Sequence, residues 1–337
     1  MKKDKHRSHR PATMRDVAKL AGVSQPTVSR VLNQSSTTIS ISEETRSRVM
    51  AAVEKLSYRP NVLARGLRTH ETQMIAVMIA DICNSFYHPI VRSIQDIAGV
   101  HNFDVMIANT DHLRSTEILF CESVTRRPVD GVIMVPQHLT VEELDNFMRQ
   151  TGTPVVILGN HIDHPQIDVI HAHDEQAIFD ATRWLIDERG HRTFGVIGVE
   201  DVYPPGPRRV RGIVRALEQS QLQLKPEHLV RSDWSLDGGE RAACELMQND
   251  ELPTAIIALN DLMAIGAILA FQDAGYRVPE DVAVMGYDDI PEARLVRPAL
   301  TTIAQDSVDI GRKLANSLFE RIENPDLPRR FLLSPQT

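Results

Sequence analysis

Hydrophobic and polar positions follow two different patterns along the chain. Up to about residue 60, apolar side chains recur at helical spacing, as in Val17, Ala18, Leu20 and Ala21. After Gln73 the pattern changes to short continuous apolar runs that alternate with helical segments. Helical spacing predicts amphipathic helices, and continuous apolar runs predict strands that are buried on both faces. The chain is therefore predicted to be a small helical module followed by a larger α/β body.

The first module is predicted to contain three helices. Thr13 and Asp16 have the spacing of a capping box, and the helix that they start is expected to end near Ala21. Gly22 suits a tight turn, and Ser24 is a natural N-cap for the second helix. The third helix is expected to begin near Ser42 and Glu43. The positions expected to face inward on the second and third helices are Val28, Val31, Leu32, Val49, Val53 and Leu56, and those expected on the polar side of the second helix are Gln25, Thr27, Ser29 and Arg30. A helix, a turn and a helix predict a helix-turn-helix.

Seven strands are predicted in the body, at residues 74–80, 103–109, 131–136, 154–160, 193–199, 254–260 and 282–288. Because they alternate with helical segments, they predict parallel βαβ units in two doubly wound lobes. In such open sheets ligands bind beyond the carboxyl ends of the strands. The cleft between the lobes is therefore the expected place for a small molecule.

Charge is divided unevenly between the two parts. Residues 1–72 carry 14 Lys and Arg against 6 Asp and Glu, a net +8, whereas residues 73–337 carry 23 against 39, a net −16. A basic module on an acidic body is typical of a protein that binds nucleic acid. Residues 1–12 alone could be a solvated basic tail, but residues 13–72 show helical patterning.

The motifs of the chain resemble those of the lactose repressor (LacI/GalR) family of bacterial transcription regulators. The resemblance starts with AGVSQPTVSRVLN (21–33) and SEETRSRVMAAVEKLSYRPNVLARGLRT (42–69). It continues through VDGVIMV (129–135), RRVRGIVRAL (208–217), LNDLMAIGA (259–267), VPEDVAVMGYDDI (278–290) and PALTTIAQD (298–306). One departure is a loop at residues 34–41 that is about three residues longer than in the lactose repressor.

The resemblance implies which residues of the module face DNA. Gln25, Pro26 and Arg30 match positions at the base edges, where Arg suits guanine and Gln suits adenine. Ser24, Thr27, Ser29 and Asn33 match phosphate-contacting positions, and Ser24 can also be purely an N-cap. Thr13 and Asn61 complete the expected set.

Residues 60–68, PNVLARGLR, resemble the family's hinge helix, which forms on DNA when two subunits meet in the minor groove. A helix of this length is unstable alone. Leu67 matches the leucine that is wedged between base pairs, and Ala64 lies one turn earlier on the same face. The alternative is an ordinary linker in which Leu67 packs on the body.

The resemblance also implies an effector site at the strand ends. Its expected residues are Phe86, Tyr87, Asn160, Arg209, Trp234, Asn260 and Asp288. A carboxylate, a guanidinium and two amides around aromatic faces would suit a sugar ring, with Trp234 as the stacking surface. Each residue also has a purely structural interpretation: Phe86 and Tyr87 as core, Trp234 as a surface plug, and Asp288 with Asp289 as a helix cap.

Metal binding and catalysis have little support in the sequence. Histidines cluster at His161, His164, His171 and His173, but their spacing fits no zinc pattern and they lie where the chain should cross between the lobes. No phosphate-binding loop, dinucleotide fingerprint or nucleophile elbow is found. We therefore expect no cofactor, no metal and no enzymatic activity.

The expected location is the cytoplasm. The longest apolar run, Leu262 to Phe271, is about half the roughly 20 residues that a membrane helix needs. The basic N-terminus is followed by no apolar stretch of the kind that a signal peptide requires. Three separated cysteines, Cys83, Cys121 and Cys244, fit a reducing compartment.

These observations together predict an α/β fold with a helix-turn-helix domain. The expected divisions are a tail (1–12), the helix-turn-helix domain (13–59), a hinge (60–72), a first lobe (73–173 and 305–326) and a second lobe (174–304 and 327–337). The predicted function is that of a transcriptional regulator, in particular a repressor, that binds a pseudo-palindromic DNA operator as a homodimer under control of a sugar-like effector. The alternatives are a sugar-binding protein of uptake type and a sugar-metabolising enzyme.

Overall fold

The computed structural model describes residues 12–33, 41–58, 71–334 and 336. The chain divides into two units, Met1–Thr72 and Gln73–Thr337. The predicted hinge residues Asn61, Ala64 and Leu67 lie outside the described residues, as do residues 34–40 of the lengthened loop.

The first unit contains the predicted helix-turn-helix. Its helices are α1 (Met14–Ala21), α2 (Gln25–Asn33) and α3 (Glu43–Lys55). Thr13 and Asp16 form the predicted capping box. Gly22 has a φ of +66°, a left-handed conformation that glycine adopts without steric cost. The core of the unit is formed by Val17, Ala18, Ala21, Val28, Val31, Val49, Ala52 and Tyr58, with Leu32, Val53 and Leu56 packed against it.

The second unit contains two parallel sheets, and each sheet is the centre of one lobe. The strands of the first sheet are β1 (Met74–Ile79), β2 (Asp104–Asn109), β3 (Gly131–Met134), β4 (Val155–Leu158), β5 (Asp168–His171) and β11 (Phe331–Leu333). Those of the second are β6 (Phe194–Val199), β7 (Leu229–Ser232), β8 (Ala255–Ala258), β9 (Ala283–Asp288) and β10 (Thr301–Ala304). The strand orders are β11-β5-β4-β3-β1-β2 and β10-β9-β8-β6-β7. All seven predicted strands are confirmed.

Helices cover both faces of the sheets, as the continuous apolar runs require. In β1, Ile75 and Val77 belong to one hydrophobic cluster, whereas Ala76 and Met78 belong to another on the opposite face. The helices of the first lobe are α4 (Tyr87–Val100), α5 (Arg114–Arg126), α6 (Val141–Thr151) and α11 (Ser307–Glu323). Those of the second lobe are α7 (Asp174–Asp187), α8 (Pro205–Gln219), α9 (Leu236–Leu246) and α10 (Asp261–Asp273).

One prediction about the lobes is wrong. Residues 327–337 were expected in the second lobe, but β11 pairs with β5 and completes the edge of the first sheet. The histidine-rich stretch contains β5 at residues 168–171, and the predicted crossing between the lobes follows directly after that strand. The chain crosses at residues 172–173 and again at 305–306, where Gln305 forms a bridge with Gln336.

A buried ion cluster fixes the C-terminal segment to the first sheet. The carboxylate of Asp168 in β5 is fully buried and accepts hydrogen bonds from Arg321 Nη2 at 2.6 Å and Arg330 Nη2 at 2.7 Å. The backbone N–H of Arg330 donates to the same carboxylate at 2.7 Å. These bonds outweigh the effect of burial, which would raise the pKa of Asp168, and the net effect is a lowered pKa. The cluster explains how a strand of three residues keeps its place beside β5.

Candidate functional site

A cavity of about 100 Å³ lies between the two lobes, beyond the carboxyl ends of the strands. This is the position that the doubly wound topology predicts. Side chains from both lobes line it. The first lobe contributes Phe86, Tyr87, His112, Gln137, His161 and His171, and the second contributes Asp174, Arg208, Arg209, Trp234, Asn260 and Asp288.

Aromatic rings form one side of the cavity. Phe86 and Tyr87 are buried and meet edge to face, with ring centroids 5.2 Å apart. These rings belong to the core, as the structural interpretation expects, and they also line the cavity. Trp234 has a φ of +64°, and its indole lies nearly parallel to the His112 ring, with centroids 6.4 Å apart. A Trp face of this kind is available for stacking on a flat or apolar ligand surface.

Arg209 is held rigidly beside the cavity. It is 6% exposed, and its guanidinium lies 3.6 Å from the centroid of the Tyr287 ring. It donates a hydrogen bond to the Leu259 carbonyl, and its Nη2 lies 3.9 Å from Asp174 Oδ1. Tyr287 OH also donates to Asp174, at 2.8 Å. The terminal nitrogens Nη1 and Nη2 of Arg209 make these contacts, whereas its Nε has no hydrogen-bond partner among the described residues.

Asp288 ends β9 in an unusual environment. Its φ is +125°, a conformation that costs a residue with a side chain about 1–3 kcal/mol. Gln305 Nε2 donates to Asp288 Oδ1 at 2.8 Å. Burial raises the pKa of Asp288 to about 8, so that the carboxyl group is largely protonated at neutral pH. The cavity therefore has less negative charge than its composition indicates.

The two predicted amides differ in their placement. Asn260 lines the cavity and is buried, its Oδ1 accepts from Met263 N–H at 2.9 Å as the N-cap of α10, and its Nδ2 donates to the Trp234 carbonyl at 2.8 Å. It thus also positions Trp234. Asn160 is exposed and is not among the residues that line the cavity. The structure brings together the other six predicted effector residues around one cavity.

Several polar atoms around the cavity have no hydrogen-bond partner in the described part of the chain. They are His112 Nδ1, Gln137 Oε1, His161 Nε2, His171 Nδ1, Arg208 Nε, Arg209 Nε and Trp234 Nε1. Burial lowers the pKa of His161 to about 4, with a further contribution from Arg208, and burial also lowers the pKa values of His112 and His171. Because buried polar atoms are nearly always paired in proteins, these atoms indicate a site for a polar ligand.

Sequence reasoning missed much of this polar set. His112, Gln137, Arg208 and Gln305 were not singled out, and His161 and His171 were considered only as metal ligands. The signal that could have found His161 and His171 is their position shortly after β4 and at the end of β5. Within the described residues, no three His, Cys, Asp or Glu side chains converge as a metal site would require.

Four of the predicted DNA-facing residues are exposed in the described part of the first unit. Gln25, Pro26 and Arg30 of α2 are exposed. Ser24 is exposed too, and its hydroxyl accepts from Thr27 N–H at 3.3 Å, as predicted for an N-cap. Ser29 differs, because it is 9% exposed and therefore does not lie on the polar side of the helix. Thr13 caps α1.

Comparisons with known proteins agree with both units. Residues 13–61 match the model of bacterial regulatory proteins of the lacI family, and residues 186–337 match that of a periplasmic binding protein-like domain. Catabolite control protein A of Priestia megaterium is 35% identical over 300 residues, which are 89% of this chain and 89% of that protein.

Solved structures show the same architecture. The lac repressor dimer bound to operator and the anti-inducer ONPF has a TM-score of 0.82 at 25% identity, covering 97% of this chain and 98% of that one. The complex of the transcriptional regulator CelR with cellobiose has a TM-score of 0.72 at 28% identity, with the same coverage of 97% and 98%. Within the described residues no helix is both long and apolar enough to span a membrane. The helix-turn-helix unit, the two-lobed unit with its cleft and these similarities agree, and the chain belongs to the LacI family of DNA-binding transcriptional regulators.

Proposed function

We propose that this regulator is a repressor that binds a pseudo-palindromic operator as a homodimer and whose affinity for DNA is set by a small molecule in the cleft. One recognition helix reads only a half-site, so two-fold symmetry of the protein requires two-fold symmetry of the DNA. The lac repressor structure is that of a dimer bound to operator. In this role Arg30 and Gln25 read base edges, and Ser24, Thr27 and Asn33 contact phosphates.

The observation that supports effector control is the cavity lined from both lobes. A ligand that contacts both lobes favours one relative orientation of them, and it shifts the equilibrium by its difference in affinity for the two states. The CelR complex contains cellobiose, which makes a sugar or related metabolite a reasonable class of effector. A cavity of about 100 Å³ has room for roughly seven to ten groups of the size of water, which is about one sugar ring.

The rival functions explain less of the molecule. A sugar-binding protein of uptake type would leave the basic module with its exposed Arg30 without a role. An enzyme that acts only in the cleft would leave the same basic module without a role. We therefore propose a cytoplasmic regulator without enzymatic activity.

The test is operator selection followed by titration with metabolites. Full-length protein selects sites from a random DNA library, and the selected sites are expected to be pseudo-palindromes of two half-sites. Mobility shifts on the best site with and without sugars and related metabolites are then expected to show a change in affinity, because typical coupling energies are about 1–3 kcal/mol. Selection of no common sequence would contradict the proposal.

A further inference from the structure

We propose that the effector is an anion, a single-ring metabolite with a carboxylate or phosphate group that accepts hydrogen bonds from Arg208 and Arg209 of the second lobe and from His161 and His171 of the first. This inference rests on the proposed function, because it concerns the ligand of the same cleft.

The unpaired polar atoms around the cavity are mainly donors. Arg208 Nε, Arg209 Nε and Trp234 Nε1 can only donate, because guanidinium and indole nitrogens have no acceptor capacity in proteins. His161 Nε2 and His171 Nδ1 can donate in the appropriate tautomer. Gln137 Oε1 is an acceptor. His112 Nδ1 belongs to the same set, and each of the three histidine nitrogens can donate or accept. The atoms with a fixed role are thus three donors and one acceptor, and a carboxylate or phosphate, which mainly accepts, suits the three donors.

Two of these groups are too deeply buried to be satisfied by bulk water. Arg209 is 6% exposed and His171 is 9% exposed, and both line the cavity. An unpaired buried donor destabilises the protein, and a ligand acceptor that pairs with it removes that cost. Their position on opposite lobes means that one anionic group between them would connect the lobes.

The charge balance of the cavity is positive. Arg208 and Arg209 line it, and the carboxylate of Asp174 is already paired with Arg208 Nη2 at 2.9 Å and with Tyr287 OH. The remaining carboxyl group, that of Asp288, has a pKa raised to about 8 by burial and is largely neutral. The two guanidiniums therefore share the single negative charge of Asp174.

The helices around the cavity add to this potential. The first turns of α4, α7 and α8 contribute Tyr87, Asp174 and Pro205 to the lining, and Asn260 precedes α10. The N-terminus of a helix has a partial positive charge and favours anions. Four helix starts thus surround the same space.

A neutral sugar is a poorer match for these groups. Its hydroxyls donate as well as accept and so require acceptors in the protein. Of the two amides expected to supply them, Asn160 lies outside the cavity, and Asn260 lines it with an Oδ1 that already accepts from Met263 N–H.

The experiment compares matched neutral and anionic ligands on the full-length protein. Thermal unfolding and calorimetric titration are carried out with D-glucose against D-glucuronate, D-ribose against D-ribose 5-phosphate, and inorganic phosphate, with sodium chloride added to equal ionic strength. We expect at least one anion to bind at least tenfold more tightly than its neutral parent. Comparison of the glucuronate and ribose 5-phosphate arms distinguishes a carboxylate from a phosphate.

Variants then locate the binding. Arg208→Gln and His161→Gln are expected to weaken anion binding at least tenfold. The second change removes a ring whose Nε2 has no partner, so it is expected to leave folding intact. The matched control is Arg211→Gln, on the same helix α8, because Arg211 is exposed and pairs with Glu175 away from the cavity.

Two results would overturn the inference. In the first, the neutral sugars bind as tightly as the corresponding anions. In the second, none of the anions, including inorganic phosphate, stabilises the protein more than the chloride control does. Operator mobility shifts with the same compounds separate this from the proposed function. If a neutral sugar alters operator binding and no anion does, only the anionic effector is refuted. If the protein selects no operator, the proposed function itself is refuted.

Discussion

Ser85 and Glu292 connect the two lobes across the mouth of the cleft. The Ser85 hydroxyl, just before α4 of the first lobe, donates to Glu292 Oε1 of the second lobe at 2.6 Å. The other oxygen, Glu292 Oε2, is buried without a partner among the described residues. The relative orientation of the lobes in this state is therefore stabilised by a direct hydrogen bond to a carboxylate as well as by any ligand.

Ser85→Ala is expected to favour separation of the lobes. Hydrogen bonds to charged groups contribute about 1.5–3 kcal/mol, so the equilibrium between closed and open lobes should shift roughly tenfold or more. Small-angle scattering of the body should show a larger radius of gyration. Thr125→Ala, which removes a hydroxyl that bonds only within α5, is the control and should change nothing. An unchanged radius for both variants would show that Ser85 does not control closure.

Asp288→Asn is expected to stabilise the protein at alkaline pH. The folded state retains the Asp288 proton up to a pH of about 8, whereas the unfolded chain loses it near 3.8, so the contribution of this group to stability falls as the pH rises through that interval. Each unit of pKa shift corresponds to about 1.4 kcal/mol, so the variant should gain a few kcal/mol at pH 8.5 and little at pH 4. Urea unfolding at both pH values measures this. The exposed Asp201→Asn should show no such difference, and an equal gain for both variants would exclude a special role for Asp288.

Asp168→Asn is expected to destabilise the first lobe strongly. Removal of one charge from a buried ion cluster costs about 3–5 kcal/mol, because Arg321 would remain buried without its carboxylate partner and Arg330 would keep only its ion pair with Glu320. Since the pKa of Asp168 is lowered in the folded state, its contribution is present above the unfolded pKa and is lost as the pH falls. Denaturant unfolding at pH 7 is the measurement. Asp163→Asn is the matched control, because Asp163 pairs with Arg329 at the surface with 94% of its side chain exposed, and should cost less than about 1 kcal/mol.

Arg30→Ala is expected to reduce sequence discrimination. A bidentate contact to a base contributes about 1–3 kcal/mol, whereas a phosphate contact weakens binding to all sequences alike. Affinity for the selected operator should therefore fall much more than affinity for random DNA in fluorescence anisotropy. Arg48→Ala on α3 serves as the comparison and should leave the ratio of the two affinities unchanged. Equal losses on both DNAs would assign Arg30 to the phosphate backbone.

The strands that could be predicted are those whose residues are apolar on both faces of the strand, because such a strand must be buried. Runs such as MIAVMI in β1 and AIIA in β8 are apolar on both faces, and their burial follows directly from composition. The missed strands β5, β7 and β10 mix apolar residues with polar or charged ones, and β11 is apolar but only three residues long. Asp168 is tolerated within β5 only because Arg321 and Arg330, more than 150 residues later, neutralise it. No local pattern contains that information.

The cleft could be predicted in outline but not in its hydrogen bonding. The family resemblance put Arg209, Trp234 and Asp288 at one site, and the structure places all three in the lining of one cavity. Which atoms remain free for a ligand depends on contacts between distant elements, such as the bond from Asn260 to the Trp234 carbonyl. The direction of a side chain after a strand is also decided by the loop, so that His161 lines the cavity whereas its neighbour Asn160 is exposed.

The position of β11 determines the order in which the lobes can be completed during synthesis on the ribosome. The second sheet comes from one continuous stretch, β6 to β10, and can form as soon as that stretch has emerged. The first lobe starts earlier but needs α11 and β11, which are translated after the second lobe. Until then the edge of β5 is open for pairing with other chains, and Asp168 lacks both of its arginines. The lobe that is translated first is thus the last to be finished, and nascent chains of this regulator depend on protection of that edge.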